Sequence, residues 1–130
     1  MTDTQIILNL VNSTEQMRKS IQRLACKHAE AQCNGDYYYN YDTNNWTSPT
    51  GKNAEAKLIH DIKFICGTKK VPDFISYSND PRGMVVKIET QKLTDAAKQL
   101  CRDMSLYMDW GGDYSILTKA EFKELYDYNK

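Results

Sequence analysis

Residues 74–89, Phe-Ile-Ser-Tyr-Ser-Asn-Asp-Pro-Arg-Gly-Met-Val-Val-Lys-Ile-Glu, set a compact cluster of turn residues between two β-rich runs. That is the sequence form of a hairpin, and it commits the chain to at least a small antiparallel sheet. Pro81 fixes φ near the value of a turn's second position, and Gly83 tolerates the positive φ that a β-carbon resists. Asp80 is placed to accept hydrogen bonds from the turn's own amides. Arg82 is left as the long, permanently charged side chain at the tip, between two rigid neighbours. A guanidinium presented this way clamps a phosphate or carboxylate through two parallel hydrogen bonds; the bland alternative is an ordinary solvated turn arginine.

The rest of the chain is mainly helical in pattern. Leu10, Met17, Ile21, Leu24 and His28 recur at three- and four-residue steps, so residues 4–34 read as one long helix or two abutting pieces with a single apolar stripe. Ser13 with Gln16 has capping-box spacing and would start the main helix near Thr14. The apolar run 5–11 is either helix or added strand, and helix is the preferred reading. Asp36 to Asn53 is rich in Tyr and amide residues. Alternating Tyr37, Tyr39 and Tyr41 predict a short strand, Thr43-Asn44-Asn45 a turn, and Ser48-Pro49-Thr50-Gly51 a loop.

Ala54 to Cys66 returns to helical spacing. Leu58, Ile62 and Ile65 lie inward, Ile59 and Phe64 widen the stripe, Lys57, Asp61 and Lys63 face outward, Asn53 is a cap and Gly67 a stop. Thr94 and Asp95 open a third helix that carries Ala97, Leu100, Cys101, Met104, Leu106 and Met108 until Trp110-Gly111-Gly112 breaks it. Residues 117–125 predict a final short helix, capped by Thr118 with Glu121 reaching back. The expected fold is therefore α+β: a small antiparallel β-sheet of two hairpins packed against three to four helices, in two layers, as a single domain over residues 1–130.

Composition narrows the function classes. Lys and Arg total 17 and Asp and Glu total 17, so the basic surplus of a protein that grips nucleic acid by its phosphates is missing and non-specific nucleic-acid binding is not expected. No apolar run reaches membrane-spanning length and no leader pattern opens the chain, which predicts a cytoplasmic protein with no membrane partner. Cys26, Cys33, Cys66 and Cys101 are scattered without a C-x-x-C pair, the pattern of reduced thiols rather than a disulfide framework.

Chemistry-bearing constellations are sparse. Cys26, His28, Cys33 and His60 lack the tight spacings of a zinc site, so no metal is expected. Cys33 with His60 is the one nucleophile–base pairing worth naming, but a helix C-terminus beside Cys33 disfavours thiolate. Neither a Walker A nor a dinucleotide fingerprint occurs, and no cofactor is implied. Catalysis is thus unsupported, with a nucleotide-processing enzyme as the least favoured alternative. Binding fits better: Arg82 and Asp80 on a stiff turn, Asn34 at a helix end, rings at Tyr37, Tyr39, Tyr41 and Trp46, and Lys87 on the hairpin combine an anion clamp, an amide and stacking surfaces.

Two stretches, Glu30-x-x-Cys33-Asn34-Gly35 and Asp80-Pro81-Arg82-Gly83 followed by Lys87-Ile88, with Ala54-Glu55-Ala56-x-Leu58 between them, resemble a family of small proteins from tailed bacteriophages and prophages. The similarity spans about residues 15–90. It departs where the family usually has an aromatic residue before E-x-x-C-N-G and this chain has His28, and the family's C-terminal ending is not recognisable. The resemblance implies a phage accessory protein acting in the host cytoplasm, often by disarming host defence. Together with the residues it leads to an expected function: binding a phosphorylated or nucleotide-type small ligand without turnover, as a sponge for a defence signal. The alternative is an inhibitor that docks a host protein through the Tyr/Trp-rich strip. The long amphipathic helix at 14–34 is of a kind that commonly pairs, which leaves a homo-oligomer open.

Overall fold

Thr2 starts the first helix in the way its hydroxyl dictates: it accepts the Gln5 amide at 3.2 Å from extended backbone, satisfying one of the amides a helix start leaves without a partner. The computed structural model describes residues 2–34, 38–40, 42, 45–47, 52–77 and 84–126. The apolar run 5–11 lies in helix α1 (Asp3–Asn12), with Ile6, Ile7 and Leu10 on its buried side. Helix α2 (Glu15–Asn34) follows after a corner, so residues 4–34 form two pieces. The cap sits one residue later than the Ser13–Gln16 spacing predicts. Thr14 Oγ1 accepts the Met17 amide at 3.1 Å, while the Ser13 hydroxyl donates to the Leu10 carbonyl at 2.5 Å and closes α1.

Strands β1 (Tyr38–Asn40) and β2 (Asn45–Thr47) pair antiparallel as a separate ribbon, so the strand predicted from alternating tyrosines is present. Helix α3 (Lys52–Cys66) contains Asn53 rather than being capped by it. It stops at Gly67, whose φ of 70° lets the Thr68 amide turn back to the Lys63 carbonyl at 3.1 Å. Its apolar stripe is narrower than predicted. Leu58, Ile62, Ile65 and Cys66 are buried, but Phe64 is 71% exposed. Asp61, predicted to face outward, is buried and pairs with Lys57 at 3.1 Å.

The main sheet joins β3 (Ile75–Tyr77), β4 (Val86–Ile88), β5 (Leu106–Met108) and β6 (Tyr114–Thr118) in the order β3-β4-β6-β5, every pairing antiparallel. Strands β3 and β4 are the two arms of the predicted hairpin. Register partners Ile75, Ile88 and Tyr114 are all buried on one side, and Ser76, Lys87 and Ser115 follow on the other. A single 3-10 turn, Thr90–Lys92, leads from β4 to helix α4 (Asp95–Asp103), capped by Thr94 Oγ1 on the Ala97 amide at 3.2 Å.

Here the third helix is shorter than predicted. It ends at Asp103, Ser105 takes φ 57°, and Leu106 to Met108 become a strand instead of a fourth helical turn. The Lys119 amide donates to the Ser105 carbonyl at 2.8 Å, and β6, an apolar strand that the sequence reading missed, supplies β5 with its partner. Strand β6 passes directly into helix α5 (Lys119–Tyr126). The predicted capping box is formed in both directions: Glu121 Oε1 accepts the Thr118 amide at 3.0 Å and Thr118 Oγ1 accepts the Glu121 amide at 3.2 Å.

Glu121 has a second task. Its carboxylate receives Arg18 at both oxygens, Nε to Oε1 at 3.3 Å and the second terminal nitrogen to Oε2 at 2.5 Å. The other arm of the same guanidinium donates to the carbonyls of Val11, at 3.1 Å, and Ser13, which the end of α1 leaves without helical partners. One buried arginine thus joins the α1–α2 corner to α5. The apolar core lies between the three long helices and the sheet. No helix among the described residues is long and apolar enough to cross a membrane.

Candidate functional site

Of the residues singled out by sequence, Tyr37, Tyr41, Asp80 and Arg82 lie outside the described residues. Asn34 is the last residue of α2, and Tyr39 and Trp46 are register partners across β1 and β2. Lys87 is half-buried on β4, with its ammonium 3.3 Å from Asp113 Oδ2. An ammonium already paired in this way is a poorer phosphate ligand than the free strand lysine the sequence suggested. At the base of the same hairpin the Tyr77 hydroxyl donates to Glu55 at 3.4 Å; burial and then that carboxylate raise its pKa above the ordinary phenol value.

A second group of ring-bearing and cationic side chains converges where β5 meets α5. Strand alternation turns Tyr107 away from buried Leu106. Helical spacing puts Lys119, Phe122 and Lys123 on one side of α5, at steps of three and four. The Tyr107 and Phe122 rings stack with centroids 3.9 Å apart and planes within 1°, and Tyr126 leans on Phe122 at 4.5 Å and 41°. Tyr107, Met108, Lys119, Phe122 and Lys123 line a cleft of about 530 Å³, within the size range of small-molecule sites. Neither Lys119 nor Lys123 is paired with a carboxylate among the described residues.

The spacing Lys119-x-x-Phe122-Lys123-x-x-Tyr126 was open to a sequence reading. The ring that completes the stack was not, because Tyr107 sits in a segment whose apolar pattern continues α4. Chemically the cleft offers flat apolar surface for a ring and two ammonium groups for an anion. The described thiols that lie elsewhere are poor nucleophiles: burial pushes Cys66 up to about 12 and Cys101 up to about 11, and burial with the nearby Glu30 raises Cys26.

Compared with protein-family models, curated proteins and solved structures, the chain finds no match in any of the three.

Proposed function

We propose that this protein binds a phosphorylated, ring-bearing small molecule of the nucleotide type without turning it over, in the cleft between β5 and α5. The observation that carries this reading is the coplanar Tyr107–Phe122 pair flanked by two lysines that have no carboxylate partner among the described residues. An aromatic platform takes a base by stacking, worth about 1–3 kcal/mol per base, and the ammonium groups suit phosphate oxygens. The resemblance of the E-x-x-C-N-G and D-P-R-G stretches to small phage proteins supplies the setting: a phage accessory protein that sequesters a nucleotide signal in the host cytoplasm. Arg82 belongs to the reading as a second anion clamp on the hairpin.

Thermal denaturation against a panel of cyclic and linear nucleotides tests it. A ligand at one hundred times its Kd stabilises the fold by about 2.7 kcal/mol, a readily measured rise in Tm. Phe122→Ala and the pair Lys119→Glu, Lys123→Glu should each remove that rise. Recovery of intact ligand distinguishes binding from turnover. A rise lost in Arg82→Ala and kept in the cleft variants would move the site to the hairpin. No rise with any nucleotide would overturn the proposal, and host-protein capture dependent on Tyr39 or Trp46 would favour the inhibitor alternative.

A further inference from the structure

The turn between β5 and β6 is held far more firmly than a surface connection requires. The Asp109 amide donates to the Asp113 carbonyl at 2.9 Å, and the Gly112 amide to the Asp109 carbonyl at 3.1 Å. Asp109 Oδ1 accepts the Asp113 amide at 2.9 Å, and Asp113 Oδ1 accepts the Thr90 amide at 3.0 Å. The Thr90 hydroxyl donates to the Gly112 carbonyl, and Lys87 pairs with Asp113 Oδ2. Gly112 takes φ +85°, which an L side chain rarely adopts. At the tip of this braced turn stands Trp110, 105% exposed. A wholly exposed indole leaves much of its apolar surface in water, and a braced backbone beneath it removes in advance part of the ordering cost of burying it against a partner.

We infer that the protein forms a two-fold dimer in which Trp110 of each copy enters the Tyr107–Phe122 cleft of the other. Chemistry and placement both favour a second copy as the occupant. The turn carries Asp109, which has no cationic partner among the described residues, while the cleft carries Lys119 and Lys123, which have no anionic one. Charge on the projection therefore complements charge in the recess. An ammonium near an indole face adds a cation–π attraction, for which Trp is the best ring.

Placement allows both contacts at once. Met108 lines the cleft and lies two positions before Trp110, so projection and recess adjoin on one strand. A self-complementary pair of adjacent features is what a two-fold axis needs to make the same contact twice. Strand β5 is also the outer strand of its sheet among the described residues, so a two-fold axis can run beside it. Met108, 45% exposed, would add apolar surface to the same interface. The inference does not rest on nucleotide binding, although both use one cleft.

Sedimentation velocity over a range of protein concentration tests it, with Trp110 emission followed in a Trp46→Phe background. The expected result is a mass that rises from one chain to two as concentration increases, with Trp110 emission shifting to the blue. Because Trp110 makes no buried contact, Trp110→Ala should keep the native far-UV spectrum and raise the dimer Kd about thirtyfold or more. Phe122→Ala should raise the Kd from the recess side, and mixing the two variants should restore a heterodimer through the one intact contact. Lys119→Glu with Lys123→Glu should weaken the dimer, and adding Asp109→Lys should recover part of the loss. A single-chain mass at every concentration, or a dimer unaffected by Trp110→Ala, would overturn the inference.

Discussion

Arg18 and Glu121 show how much of this molecule hangs on individual side chains. Burial alone would raise the Glu121 pKa, but Arg18 and the Thr118 amide and hydroxyl outweigh it and hold the carboxyl below its ordinary value of 4.5. The unfolded chain therefore binds this proton at a higher pH than the folded chain does. Stability from Glu121 is complete above the ordinary carboxylate range and is lost as pH falls below about 4.5 toward the depressed folded value. Glu121→Gln should flatten that part of the stability–pH curve. It should also destabilise the fold at neutral pH by about 3–5 kcal/mol, because a buried guanidinium loses its counter-charge. Urea unfolding followed by circular dichroism at several pH values measures both effects. If the variant kept the slope of the parent below pH 4.5, acid sensitivity would reside in other carboxyls.

Among the elements, the β5–β6 turn is where local chemistry and tertiary support meet. Asp113→Ala removes the acceptor of the Thr90 amide and the partner of half-buried Lys87 together, at a cost of about 1–3 kcal/mol. Asp113→Asn keeps an acceptor for Thr90 and should cost less. Chemical denaturation should show a lower midpoint with an unchanged m value, and the ranking of the two variants checks the assignment. The same region shows where sequence reading stops. Helices α1, α2 and α3, the final capping box and the β3–β4 hairpin were legible because each carries its own periodicity, cap or turn residues. Strand residues 106–108 and 114–117 were not. Met104 and Met108 keep helical spacing after Leu100, no glycine or proline marks the reversal at Ser105, and the run Tyr114-Ser-Ile-Leu-Thr is buried on both sides and so lacks the alternation of a half-exposed strand. Lys119, Phe122 and Lys123 were legible as a helix face, but their ring partner Tyr107 required β5.

At the scale of the whole molecule, one cleft is proposed for two occupants, and thermodynamic linkage ties the two proposals together. If a nucleotide and the Trp110 of a second copy both occupy the cleft that Tyr107 and Phe122 line, each must lower the apparent affinity of the other by the same factor. A nucleotide that raises Tm at low protein concentration should then shift sedimentation toward the single chain at high concentration, and its apparent Kd should rise as protein is concentrated. In Trp110→Ala the competitor is gone while the rings and lysines remain, so nucleotide affinity should become independent of protein concentration. With equal acidic and basic content, overall charge repulsion contributes little to either equilibrium, whereas the proposed Asp109–lysine attraction would be local. Added salt should accordingly weaken the dimer and release the cleft. Titration calorimetry at two protein concentrations and two salt concentrations measures all of these changes. Nucleotide binding that leaves the dimer intact would place the ligand elsewhere, and Arg82→Ala would then locate it.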